Sequence, residues 1–163
     1  MGATTTEVLQ PRNVDGDTLQ ITAFRLGKEE FGIDILYIRE IIRMPVITRV
    51  PNAPSYVLGI FNMRGKVVPV VDITQRLGVE RNDEITDETK VIVVQVNNVL
   101  VGFVVDAVSE VQRIAKDIIV PPPALMENVN TKYVEGLAKL EERLIILLDL
   151  PKLLDLEGES ETE

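Results

Sequence analysis

The chain says nearly the same thing twice. Tyr56 opens YVLGIFNMRGKVVPVVDITQRL and Tyr133 opens YVEGLAKLEERLIILLDLPKLL; in both, a glycine stands three residues after the tyrosine, an aspartate sixteen after it, and a leucine at the close. Upstream, FGIDILYIREII (Phe31 to Ile42) lies over VGFVVDAVSEVQ (Val101 to Gln112). The offset is 70 residues in the upstream block and 77 in the downstream one, so an insertion of seven falls within Pro121 to Thr131. A repeat this long is a supersecondary unit, not a short solenoid period, which predicts two similar small modules in tandem. We divide the chain into a polar tail (1–16), a first module (17–86), a second module (87–156) and an acidic tail (157–163). A repeat locates duplicated blocks without saying which strands pair, so exchange of strands between the modules stays open.

Most of the chain reads as strand. Leu19 to Leu26 and Phe31 to Ile33 flank a turn at Gly27 to Glu30, and Lys90 to Val96 and Val99 to Val105 flank Asn97-Asn98. The downstream blocks supply two strands each, Val57 to Met63 with Lys66 to Val71, and Val134 to Leu140 with Leu144 to Leu148. Their turns fall at Arg64-Gly65 and Glu141 to Arg143. Ile35, Ile38, Ile41 and Ile42 have the spacing of one helical face, so a short helix capped by Asp34 is expected, with a weaker copy at Val108 and Val111. Asp72 with Gln75, and Asp149 with Pro151, mark two further helical starts. Short strands punctuated by glycine and proline favour an all-β fold of two small barrels with short helices. The expected core is Val68, Val70, Ile92, Val94, Phe103, Leu137, Ile146 and Leu148.

The chemistry left open by composition is narrow. Among 163 residues there is no cysteine and no histidine, which removes disulfides, thiolate nucleophiles, imidazole bases and the commonest zinc ligands. Seventeen basic against 26 acidic residues give a net charge of −9, and the basic ones do not cluster, so a nucleic-acid backbone is disfavoured. No apolar run reaches the roughly 20 residues of a membrane span, which predicts a cytoplasmic protein with no direct membrane insertion. Asp34, Asp72, Asp106 and Asp149 each follow or end an apolar strand, the place of a capping carboxylate, not of a catalytic or metal-binding set. We therefore expect no catalytic residues, no metal and no cofactor. A binding role falls instead on the turn Asn62-Met63-Arg64-Gly65, where the modules differ most, and on the apolar surplus at Ile38, Ile41 and Ile42 beside Glu40.

Taken together, FGIDILYIREIIR, VITRVPNAPSYVLGIFNMRGKVVPVVDI, VGFVVDAVSEVQRI and YVEGLAKLEERLIILLDLPKLL resemble the CheW family of chemotaxis coupling proteins, in one continuous order over about residues 17 to 156. The resemblance implies two SH3-like five-stranded β-barrels and no enzymatic activity. It implies a scaffold bridging the cytoplasmic tips of methyl-accepting chemoreceptors and the C-terminal regulatory domain of the histidine kinase CheA, in arrays at the membrane. Family receptor contacts carried onto matching positions are Ile38, Glu40, Gly59 and Arg64, with neighbouring Ile41 and Met63; kinase contacts are not assigned. The family turn is usually NLRG where this chain has NMRG, a change that keeps an apolar residue. A monomer in isolation is expected. The competing readings are a small-molecule-binding double barrel, which needs a closed pocket, and an excised regulatory domain of a CheA-type kinase.

Overall fold

A computed structural model of the protein describes residues 17–82, 84–123 and 129–155. Among the described residues there are eleven strands and two single-turn α-helices: β1 (Thr18–Leu26), β2 (Glu29–Asp34), β3 (Ile38–Arg43), β4 (Val57–Met63), β5 (Lys66–Val71), α1 (Thr74–Leu77), β6 (Lys90–Val96), β7 (Val99–Val105), β8 (Ala107–Ala115), β9 (Ile119–Val120), β10 (Val134–Leu140), β11 (Arg143–Leu148) and α2 (Leu150–Leu153). Both expected tails lie outside the described residues. The hairpin turns have the backbone their sequences favour. Asn97 and Asn98 both take positive φ, as do Arg64 and Gly65, the geometry of a two-residue turn matched to strand twist.

The strands form two sheets, β3-β6-β7-β5-β4 and β8-β1-β2-β11-β10-β9. The first curls shut where Thr48, beyond β3, exchanges backbone hydrogen bonds with Ile60 on β4 at 2.8 and 2.9 Å. In the second, β8 and β9 are one run broken by a 3-10 turn at Lys116–Ile118, and they occupy the two ends of the order, so this barrel also has five strands in effect. The result is a pair of SH3-like barrels. Their membership departs from the repeat boundary at 86/87. One barrel is continuous in sequence, β3 to β7; the other is split, built from β1 and β2 plus β8 to β11. Each repeat lends its first hairpin to the other, through the parallel pairs β2 with β11 and β5 with β7.

This exchange explains why several strands are continuous apolar runs. In β6, Val91 and Val93 point into the continuous barrel with Phe61, Val68, Val70 and Val104, while Ile92, Val94 and Val96 join a shared cluster between the barrels. In β11, Ile145 and Leu147 fill the split barrel with Ile21, Ala23, Ile114 and Ala138, while Ile146 and Leu148 face the shared cluster. A strand with a core on each face has no polar side. All eight residues expected in the core are buried.

The expected helix after Asp34 is instead one 3-10 turn (Ile35–Tyr37) followed by β3, and Val108 and Val111 lie on β8. Two bulges account for the misreading. The register slips between Ile38 and Glu40, so Ile38 and Ile41 oppose Val94 and Ile92 and share one face three residues apart. A similar slip opposite Thr22 and Phe24 sets Val111 and Val108 on one face. A bulge inserts one residue into a period of two, which imitates helical spacing. Asp34 does cap its short turn, accepting from Leu36 N at 2.9 Å, and Asp149 caps α2 from Lys152 N at 3.1 Å. Asp72 accepts from Thr74 N at 3.0 Å and pairs with Arg81 at 3.5 Å. Asp106 caps no helix: its carboxylate accepts from Gly27 N at 2.7 Å and Asn82 N at 3.1 Å, fastening the split barrel to the loop after α1.

The two tyrosines that open the repeats meet around one cation. The Arg76 guanidinium on α1 lies 6.0 Å from the Tyr56 ring centroid and 5.7 Å from that of Tyr133, and donates to the carbonyl of Leu153 at 3.0 Å, at the end of α2. Charged donors to terminal helix carbonyls and to aromatic faces each contribute about 0.5–3 kcal/mol. Arg76→Ala should therefore lower the unfolding free energy by about 2 kcal/mol in urea melts, and Arg76→Lys, which loses the planar fork, should recover only part of it. An unchanged midpoint in the alanine variant would show that the clasp is idle.

Candidate partner-binding surface

The turn Asn62 to Lys66 projects from the continuous barrel because Asn62 Oδ1 accepts from Gly65 N at 2.9 Å, with Arg64 and Gly65 at φ 52 and 85°. Arg64 is thereby held outward, its side chain 71% exposed, and it forms an ion pair with Glu40 on β3. The bulge in β3 turns Glu40 to this side, while neighbouring Arg39 donates through Nε to Gln95 Oε1 at 2.9 Å.

Between these groups runs an open groove of about 730 Å3. Met63, Val67, Pro69, Val99 and Leu100 form its apolar lining; Arg39, Glu40, Arg64, Lys66, Gln95 and Asn98 form its polar part. Val67 is 63% exposed and Val99 54%, apolar surface that a monomer has no internal use for. Three basic groups against one carboxylate make this locale positive on a chain of net charge −9.

The structure brings together three of the six site residues expected from sequence, Glu40, Met63 and Arg64. The other three are elsewhere. Ile38 is half-buried against the shared core, and Ile41 is 39% exposed on the same face of β3 as Ile38, so neither lines the groove. Gly59 is buried at the closure of the continuous barrel, where a Cβ would lie 2.4 Å from the Thr48 carbonyl oxygen and 2.5 Å from Ile47 Cγ2. Its repeat partner Gly136 stands at the other closure, 2.6 Å from Ile119 Cγ2 by the same measure. Close backbone approach therefore accounts for both glycines of the repeat.

Sequence reading missed Val67, Gln95, Val99 and Leu100. The β6–β7 hairpin reaches the groove only through sheet pairing, and no local signal marks that. The second repeat does not copy the site: Glu141 stands in the place of Arg64, and Arg143, in the place of Lys66, is tied to Glu30 through Nε at 3.2 Å. The hydrogen bond to Glu30 is the main cause that raises the Arg143 pKa.

The family model for the CheW-like domain matches residues 20–158. The chain belongs to the CheW-like family. It is 37% identical over 142 residues to a probable chemotaxis protein CheW of Rhizobium etli, covering 87% of this chain and 90% of that one. It is 38% identical over 144 residues to the chemotaxis protein CheW of Klebsiella aerogenes, covering 87% and 86%. The crystal structure of the scaffolding protein TtCheW from Thermoanaerobacter tengcongensis superposes with a TM-score of 0.79 at 32% identity, covering 91% and 95% of the two chains. Like these CheW proteins, the chain is a chemotaxis scaffold. Among the described residues no helix is long and apolar enough to cross a membrane, and no three acidic side chains are placed to hold a metal ion.

Proposed function

We propose that the protein couples chemoreceptors to the histidine kinase CheA by binding both, without turning over a substrate. The receptor would sit on the groove between the Arg64 turn and the β6–β7 hairpin, as a helical surface able to cover Val67 and Val99 and to accept from the guanidinium. The observation carrying this reading is an open, apolar groove rimmed by Arg64 and Glu40 on a member of this family. An open groove suits a macromolecular face better than an enclosed small ligand, and the coupling role places the protein in the cytoplasm at receptor arrays, monomeric when free of them.

Titration with a chemoreceptor cytoplasmic hairpin, and separately with the CheA regulatory domain, tests the assignment; a folded protein that binds neither would sink it. Arg64 is the solvated member of its pair with Glu40, whose side chain is 26% exposed, and such a pair adds at most about 1 kcal/mol to the fold, so Arg64→Ala and Arg64→Glu should melt within about 1 kcal/mol of the parent. Arg64→Glu should weaken receptor binding by about 30-fold or more, the loss of a charge-assisted contact of roughly 2 kcal/mol, and Arg64→Ala by less. The double variant Arg64→Glu with Glu40→Arg rebuilds the internal pair in reverse. If it restores binding, the pair only holds the turn in place and the contact reading fails.

A further inference from the structure

Two grooves meet at the β6–β7 hairpin. Besides the one at the Arg64 turn, an open groove of about 640 Å3 runs between the hairpin and the end of α2, where Val99 and Val101 face Pro151, Lys152, Leu154 and Asp155. Val99 lines both, so the two are continuous. The parallel pairing of Val70 with Gly102, counted back three residues on each strand, sets Val67 one strand spacing, about 5 Å, from Val99. The chain leaves α2 on this path: Asp155 belongs to the second groove, and its carbonyl accepts from Arg76 Nη2 at 3.3 Å.

The sequence after Asp155 is LEGESETE, with glutamate at 157, 159, 161 and 163 and no basic residue. In an extended chain this period of two puts the four carboxylates on one edge and Gly158, Ser160 and Thr162, small and neutral, on the other. The path offers the matching charge, Lys152 at its start and Arg39, Arg64 and Lys66 further on, against the carboxylates of Asp155 and Glu40. Eight extended residues reach about 26 Å, and the way from Val101 past Val99 to Val67 is about 12 Å. We propose that residues 156–163 run back along the two grooves and cover the Arg64 surface in cis, so that a partner binding there must displace them. Each ion pair is weak at a solvated surface, but the tether holds the segment at an effective concentration on the order of millimolar. The competition rests on the coupling role proposed above; the docking does not.

The chain has no cysteine, so Ser160→Cys accepts a nitroxide spin label at one site. In about 0.05 M salt the label should broaden the amide signals of Arg64, Lys66, Val67 and Val99 and spare those of Val111 and Leu144 on the split barrel, and about 0.5 M salt should relieve the broadening. Broadening spread evenly over both barrels, or unchanged by salt, overturns the docking. So does the same pattern on isotope-labelled chains that carry no nitroxide, mixed with labelled ones, because a second copy would then be the occupant. A segment docked about two-thirds of the time weakens receptor binding about threefold, so deleting 156–163, or changing its four glutamates to glutamine, should tighten binding of a chemoreceptor hairpin by that factor. Equal affinity with and without the segment overturns the competition. A receptor hairpin that binds neither form counts against the coupling role and leaves the docking standing on the broadening alone.

Discussion

Ile146→Ala will lose about 2–5 kcal/mol of unfolding free energy, the range for truncating a fully buried aliphatic side chain whose site cannot collapse. Ile146 is 2% exposed and sits where the two halves of the exchange meet. It faces Leu137 across the antiparallel pair β10–β11 and Phe31 across the parallel pair β2–β11, and it packs into the cluster shared by both barrels. A cavity there is walled by β-sheet on two sides, which cannot move inward without breaking ladder hydrogen bonds. The loss should therefore fall in the upper half of that range, and Leu148→Ala, in the same cluster, should behave alike. Urea melts of the two variants measure it. Losses below about 1 kcal/mol at both would mean that the alternate residues Ile145 and Leu147 carry the interface.

Gly59→Ala is the second large effect, and it separates fold from recognition at a position that the family resemblance marks as a receptor contact. Gly59 has φ 151°, and the clash its Cβ would make is with the Thr48 carbonyl oxygen, a backbone atom held by the hydrogen bonds that close the barrel. An unfavourable backbone region and a forced shift of closed sheet each cost about 1–3 kcal/mol, so a loss of about 3 kcal/mol is expected. Receptor binding should fall only as far as the folded fraction falls. Gly65→Ala provides the contrast: a Cβ there meets nothing within 4 Å, leaving only the strain of φ 85°, about 1 kcal/mol. A Gly59→Ala protein with the parent's melt but no receptor binding would return Gly59 to the contact surface.

How far the sequence was legible depended on how local each signal was. The hairpins at Asn97-Asn98 and Arg64-Gly65, and the caps at Asp34 and Asp149, were readable because turn and cap chemistry act over a few residues. The bulges at Arg39 and opposite Thr22 were not, because an inserted residue is defined only against a partner strand, and alone it imitates a helix. The exchange of hairpins was invisible for the same reason: Val91 and Val104 look alike whichever repeat closes over them. At the groove, Glu40, Met63 and Arg64 stood out through charge and turn geometry, whereas Val67 and Val99 read as ordinary strand residues until the sheet order exposed them. Gly59 was noticed, but as part of a resemblance; its role in closing the barrel required the position of Thr48.

The split barrel also sets an order of events during synthesis. β1 and β2 leave the ribosome first, carrying Phe24, Leu26, Phe31 and Ile33, yet the Arg143 that binds Glu30 is 113 residues further along the chain. Strands β3 to β7 contain all of the other barrel's pairings and can complete it as soon as Val105 emerges. The earliest hairpin is thus among the last to be enclosed, and for that interval its apolar side chains lie open to any protein in the cell that holds unfinished chains.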